Sequence, residues 1–267
     1  METYRLKNIA ILILLLLNVC LLLTLGYQKL QSMQMESRTA EQLRELYQAS
    51  QLSLGTEIDL FQQPLGPLTL SRKAATEQDI ASALLGGETT AASQGGGIYS
   101  YEAASGTIQF RAGGSFYGVR LELPVADIRA FAEDFCRRFG YEEPQIQVEE
   151  GSGSAVAGQM VNGVRVVNCG VELYFEEGKL TSVTGAHVSL ENALVESGQP
   201  MTCVTALVRF LDYRSSAGVV CSQVTGVSCV YQLQTASASL RLLPAWQIDT
   251  DTYTYFVDCA TGEVTRA

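Results

Sequence analysis

An apolar run near the amino terminus constrains this chain more than any other feature of its sequence. Residues 9–26 carry no charge, and Asn18 and Thr24 are their clearly polar side chains. A helix that crosses a membrane needs roughly 20 mostly apolar residues. Residues 9–27 meet that requirement, so the sequence predicts a single transmembrane helix over this range.

A cleaved signal peptide is the alternative interpretation of the same run. Signal peptides have a shorter apolar core of about 7–15 residues and a cleavage site between small residues. The run is longer than such a core, and Thr24-Leu25-Gly26 matches the cleavage pattern poorly, which favours an uncleaved anchor. Arg5 and Lys7 place residues 1–8 in the cytoplasm under the positive-inside rule. Residues 28–267 would then be extracytoplasmic, on a single-pass protein of the cell membrane.

Charge and cysteine usage exclude some classes of partner. A formal net charge of -10 argues against a nucleic-acid surface. An exported domain permits disulfides, but wide spacing and the absence of a C-x-x-C motif favour mostly free thiols, with a Cys221–Cys229 pair left open. With a single histidine, His187, we expect no metal site and no cofactor. Besides Cys20 in the apolar run, the cysteines are Cys136, Cys169, Cys203, Cys221, Cys229 and Cys259.

The segments between the apolar run and the middle of the chain differ in composition. Residues 28–50 lack Gly and Pro and are predicted to form a helical stalk. A solvated spacer is favoured over a coiled contact with a partner's stalk, because no heptad is sustained. Residues 51–115 form an N-terminal segment with a short helix over residues 76–85 and a hairpin over residues 98–110. Between these two elements, residues 88–97 are predicted to be a loop of small residues.

The rest of the chain repeats one order of elements, a helix followed by antiparallel strands. In residues 116–185, Pro124 is predicted to open the helix, and Asn162-Gly163 predicts a tight hairpin turn. In residues 198–267 the helix follows Pro200. The sequence therefore predicts an α+β fold in which the transmembrane helix is followed by two packed units of a helix on an antiparallel sheet.

No set of residues predicts catalysis. His187 is alone, so any Ser–His–Asp or Cys–His arrangement would depend on it, and a surface or capping role is favoured. Trp246 is predicted to be a core residue rather than a ligand platform, and the runs at Gly95–Gly97 and Gly113-Gly114 lack the setting of a phosphate loop. Neighbouring carboxylates on a strand point to opposite faces and make poor acid–base pairs, which applies to Glu142-Glu143, Glu149-Glu150 and Glu176-Glu177.

Several landmarks occur in a recognisable order along the chain. They are the basic start, the Asn-interrupted run Leu16–Leu22, the segments Tyr99–Phe110 and Gly158–Asn168, and the ending Leu243–Ile248, Tyr255–Asp258 and Gly262–Val264. In these landmarks the chain resembles the YycH/YycI family, and YycI-type members in particular, with a PepSY-like C-terminal part. Members of this family are single-pass regulators of the WalK sensor kinase in low-GC Gram-positive bacteria.

The resemblance implies a regulator without catalytic residues. Its partners would be a WalK-like sensor histidine kinase of a cell-wall homeostasis system and, as a second candidate, a paralogous YycH-like regulator. An Asn amide inside a bilayer gains about 0.6–2 kcal/mol from a hydrogen bond to a neighbouring helix, although a lone Asn is also tolerated without one. The predicted contact face for the kinase's transmembrane helices is Leu14, Leu17, Asn18, Leu21, Leu22 and Leu25.

Two other functions are compatible with the sequence. A PepSY-like inhibitory module would dock on an extracytoplasmic peptidase, and its soluble domain alone would inhibit. A wall-directed enzyme would depend on His187. The kinase hypothesis differs from both because it requires the membrane anchor.

Overall fold

The computed structural model describes residues 34–236 and 239–267, together with Asn18, Leu21 and Gln31. These three isolated residues are helical and exposed. Among the described residues, no helix is long and apolar enough to cross a membrane. The predicted transmembrane segment, residues 9–27, lies outside the described residues apart from Asn18 and Leu21.

Helices and strands are mixed along the chain, as the sequence predicts. The helices are α1 (34–49), α2 (Ala74–Leu85), α3 (Ile128–Phe139) and α4 (Cys203–Ala217). The first strands are β1 (Ser53–Leu54), β2 (Leu68–Leu70), β3 (Thr90–Gly95), β4 (Ile98–Ala103), β5 (Gly106–Phe110), β6 (Ser115–Val119), β7 (Leu123–Pro124) and β8 (Gln145–Glu149). The later strands are β9 (Ser152–Val161), β10 (Val164–Glu176), β11 (Lys179–Ala186), β12 (Leu194–Val195), β13 (Gln223–Ala236), β14 (Ser239–Thr250), β15 (Thr254–Asp258) and β16 (Val264–Arg266).

The strands of the described residues form one continuous sheet. Its main path runs β12-β2-β14-β13-β10-β11-β6-β5-β4-β3. Neighbours on this path are antiparallel except β10 and β13, which are parallel at Val166 and Tyr231. The two stretches predicted as packed units, residues 116–185 and 198–267, are therefore joined edge to edge through the β10–β13 pair.

The first half of the sheet packs against α2 and α3. Its core includes Ile80 and Leu84 of α2 and Phe135 of α3. The prediction that Pro124 opens α3 is wrong, because Pro124 ends β7 and the helix begins at Ile128. The start is set instead by the Asp127 carboxylate, which accepts a hydrogen bond from a backbone N–H of the first turn.

The second half of the sheet packs against α4 and α1. Phe210 of α4, Trp246 of β14 and Tyr47 of α1 are all fully buried in this core. The predicted solvated stalk is therefore only partly correct, because the C-terminal half of α1 belongs to the folded core. A smaller core around Val166 and Leu242 lies where the two halves meet.

Of the predicted turns and loops, the Asn162-Gly163 turn is confirmed and the loop over residues 88–97 is not. Asn162 and Gly163 both have positive φ, 50° and 78°, and join β9 to β10 as predicted. The predicted loop over residues 88–97 is wrong, because it contains β3, whose backbone pairs with β4 from Thr90 to Gly95.

All six cysteines in the described residues are free thiols, so the Cys221–Cys229 pair is not formed.

Candidate functional site

The predicted contact face in the apolar run is largely outside the described residues. Leu14, Leu17, Leu22 and Leu25 are not described, whereas Asn18 is helical and exposed and Leu21 is 53% exposed. The contact of this face with a kinase helix therefore stays a prediction.

His187 caps the carbonyl end of a helix, as one of the two favoured roles predicts. Its Nε2–H donates to the carbonyl of Phe139, the last residue of α3, over 3.1 Å. The ring lies edge-on to Phe139 and Tyr141, with centroid distances of 6.4 and 6.0 Å. Burial among these rings lowers the pKa of His187 to about 4. The imidazole is therefore neutral at pH 7 and has a structural role in this arrangement.

The carboxylate pairs do not converge on a catalytic centre. Glu149 and Glu150 are exposed at one turn, and Glu176 and Glu177 are exposed at another. Glu142 lies 3.3 Å from the Arg165 guanidinium in a half-exposed ion pair. Solvated turn charge, as predicted, describes Glu149-Glu150 and Glu176-Glu177, whereas Glu142 is held in the ion pair.

Trp246 is a core residue, as predicted. It is fully buried, and its indole N–H donates to the Met201 carbonyl over 2.8 Å. Within residues 34–236 and 239–267, no three side chains of the His, Cys, Asp and Glu types are placed to hold a metal ion.

A partly buried ion pair joins α2 to the hairpin of β3 and β4. The Arg72 guanidinium donates to both carboxylate oxygens of Glu77 at 2.5 and 2.7 Å and to the Gly97 carbonyl at 2.9 Å. It also lies over the Tyr99 ring, 3.9 Å from the centroid. Burial disfavours the charge of Arg72, but the hydrogen bond and the charge of Glu77 outweigh it and raise the Arg72 pKa.

The cavity beside this ion pair is too small for a substrate. Arg72, Glu77, His187 and Ser189 line a space of about 20 Å³. That volume accommodates about one water molecule. Since the charges are already satisfied by each other, this cluster fastens α2 and the β3–β4 turn together.

The attachment of α1 to the core is the arrangement best suited to a function. Tyr47 is fully buried, and its hydroxyl donates to the Leu207 carbonyl of α4 over 2.8 Å. Burial raises the pKa of Tyr47 well above its ordinary value. Leu43, one turn earlier, is 4% exposed, and Arg214 donates to the Ser50 carbonyl at 3.1 Å. We call this contact between α1 and α4 the α1 joint.

The α1 joint sets the orientation of α1 against the core. Its contacts bury one face of α1, while Met35 and Leu46 on the helix remain 68% and 44% exposed. The sequence signal for this buried face is the i, i+4 spacing of Leu43 and Tyr47, which places their side chains next to each other on a helix.

Comparisons with known proteins leave the family open. No protein-family model and no curated protein matches the chain. In structure, the chain is similar to the Bacillus megaterium YpeB C-terminal domain, with a TM-score of 0.36 and 10% sequence identity, covering 74% of this chain and 98% of that chain. A likeness of this size establishes neither family nor activity. The resemblance to the YycH/YycI family therefore rests on the landmarks quoted above.

Proposed function

We propose that this protein is a non-catalytic, membrane-anchored regulator of a WalK-like sensor histidine kinase. In this proposal residues 9–27 span the membrane, the N-terminus is cytoplasmic and residues 28–267 are extracytoplasmic. The chain would belong to the YycH/YycI family, with a PepSY-like C-terminal part. A paralogous YycH-like protein would be a second partner.

The observation that carries the proposal is the α1 joint. A solvated spacer would let an anchor and an outer domain move independently, so binding at one would not affect the other. A helix buried at Leu43 and bonded through Tyr47 is instead held against the outer domain. Such a connection suits a protein whose outer domain and membrane segment act on one partner together.

Regulation requires that the protein bind one state of the kinase more tightly than the other. A protein with equal affinity for both states would not change their populations. We assign the membrane part of that difference to Asn18 and the leucines of its predicted contact face. Loss of the Asn18 hydrogen bond should weaken association about 3- to 30-fold, which corresponds to about 0.6–2 kcal/mol.

The test uses the full chain reconstituted with a WalK-like kinase in phospholipid vesicles. Association is measured by cross-linking and regulation by the rate of kinase autophosphorylation. We expect Asn18→Leu to weaken association, whereas Thr24→Leu, which removes the other polar side chain of the run, should not. Leu43→Ala should leave association intact but reduce the effect on autophosphorylation, and Leu46→Ala should change neither.

Two outcomes would contradict the proposal. If Asn18→Leu leaves both association and autophosphorylation unchanged, the contact within the membrane is wrong. If residues 34–267 alone produce the full effect of the intact chain on autophosphorylation, the anchor is dispensable and the role assigned to it is wrong. Inhibition of an extracytoplasmic peptidase by residues 34–267, without any effect on the kinase, would favour the peptidase-inhibitor class.

A further inference from the structure

The strand β3 forms an exposed edge of the sheet. It lies at the end of the main path and pairs with β4 alone. All six of its residues, Thr90–Gly95, are exposed, and none is charged, proline or a large apolar residue. The N–H and C=O groups on the side away from β4 are therefore open to a further strand.

Other described strands with a single partner are short or protected. The strands β1, β7 and β12 have two residues each. The strand β16 has three residues and ends at Arg266. The strand β8 follows Pro144 and ends in Glu149, with Glu150 beside it. Proline, charge and short length are usual means of preventing edge pairing, and β3 has none of these three. Its ladder with β4 has one register shift, between Ser93 and Gly95, so the regular part of the open edge is Thr90–Ser93.

Hydrogen bonds hold β3 and its turn in place although the strand buries no side chain of its own. The Gln94 amide donates to the hydroxyl of Ser100, which is fully buried, over 2.6 Å. At the turn, Arg72 donates to the Gly97 carbonyl. Tyr101 of β4 is 2% exposed in the core beneath. The open edge is thus preorganised, which lowers the cost of ordering it when a partner binds.

We propose that β3 binds an extended segment of a partner polypeptide, which adds to the sheet as a further strand. Backbone hydrogen bonds would supply the affinity in this mode of recognition. Glu88 and Glu102 are exposed at the Thr90 end of the strand, and Glu102 pairs directly with Thr90. A basic side chain on the partner segment would face these carboxylates.

A second copy of this chain fits the edge less well. Each copy carries a net charge of -10, which opposes self-association. A contact between two copies through β3 alone would bury little area, because none of its six residues has a side chain larger than Gln94. Stable interfaces between folded proteins bury about 1,200–2,000 Å². The inference extends the proposed function and takes from it only the premise that the partner is a protein.

The test uses the full chain in detergent micelles and short synthetic peptides of alternating threonine and valine. One peptide ends in lysines, a second in glutamates, and a third repeats the lysine peptide with alternate amides N-methylated to block one edge. We expect saturable binding of the lysine peptide and slower amide exchange in residues 90–95. The glutamate and N-methylated peptides should bind at least about ten-fold more weakly.

Matched variants locate the site. The double variant Ala91→Lys/Ala92→Lys places charge on the exposed edge and should weaken binding of the lysine peptide about ten-fold. Gln147→Lys adds charge to the exposed edge strand β8 and should leave binding unchanged. Equal thermal unfolding of the variants and the unmodified chain shows that folding is intact.

Three results would overturn the inference. The first is that none of the three peptides shows saturable binding. The second is that the peptide slows amide exchange at β8 instead of β3. The third is that amide exchange in residues 90–95 slows with increasing protein concentration when no peptide is present. The last would identify a second copy as the occupant. Kinase regulation is measured separately through Asn18→Leu and Leu43→Ala, so a failure of the β3 inference leaves the proposed function standing, and the reverse holds too.

Discussion

His187 illustrates how a single titratable residue can serve stability without chemistry. The ring satisfies the terminal carbonyl of α3 and fills space between two aromatic rings. A charged imidazolium in that position would lose hydration without gaining a counter-ion in the contacts described. The residue therefore favours the folded state in its neutral form.

The stability of the protein should depend on pH through His187. The unfolded residue takes up a proton near pH 6.5, whereas burial lowers its pKa in the folded chain to about 4. Between these values the unfolded state binds more protons, so the free energy of unfolding falls as pH is lowered through this range. Between pH 7 and pH 4, the free energy of unfolding should fall by about 1–3 kcal/mol more in the unmodified protein than in the His187→Gln variant. Urea unfolding at both pH values measures the difference, and equal losses in the two proteins would contradict the prediction.

At the scale of elements, α1 contributes to the core through one face. Leu43 is 4% exposed and Leu46 is 44% exposed on the same helix. Leu43→Ala should therefore lower the free energy of unfolding by about 2–4 kcal/mol, and Leu46→Ala should change it by less than about 0.5 kcal/mol. Both substitutions alter helix propensity equally, so the difference reports burial. Denaturant unfolding measures it, and equal losses would mean that α1 is not docked in solution.

The hairpin turn between β9 and β10 allows a backbone effect to be isolated. Gly163 has a φ of 78° and Gly87 does not adopt positive φ, yet a Cβ atom at either position would meet no atom within 4 Å. Gly163→Ala should therefore cost about 1–2 kcal/mol through backbone strain alone. Gly87→Ala should be neutral or stabilise the protein by up to about 1 kcal/mol, because it restricts the unfolded chain. Thermal and denaturant unfolding of both variants test this, and a similar loss for both would point to a cause other than φ.

Elements governed by neighbouring residues were predictable from the sequence, and those governed by distant contacts were not. Asn162-Gly163 specifies its own turn, and the spacing of Leu43 and Tyr47 indicates a helix. The burial of Tyr47 depends on Leu207, which is 160 residues away. The strand β3 was missed because alanine and glycine, three of its six residues, are depleted in strands, so its ladder with β4 makes it a strand. The Arg72–Glu77 pair left no recognisable motif because its other partners, Gly97 and Tyr99, come from a separate hairpin.

At the scale of the whole molecule, the continuous sheet has consequences for folding. The parallel β10–β13 pair connects the two halves, and the core around Val166 and Leu242 draws side chains from both. Residues 198–267 lack part of their own core, because Tyr47 and Leu52 come from the N-terminal part of the chain. The halves should therefore depend on each other for stability, although each contains its own helix-and-sheet layer.

Three buried thiols can report whether the halves unfold together. Cys136 lies in the core of the first half, Cys203 in that of the second and Cys169 in the junction core. Burial raises their pKa values to about 11, 12 and 12, which suppresses the reactive thiolate in the folded chain. We expect all three to become alkylated at one denaturant midpoint, as mass spectrometry of the labelled peptides would show. Val166→Ala in the junction should lower that midpoint for all three, whereas Val195→Ala, at a site 76% exposed, should not. Separate midpoints for Cys136 and Cys203 would instead mean that the two halves fold as independent units.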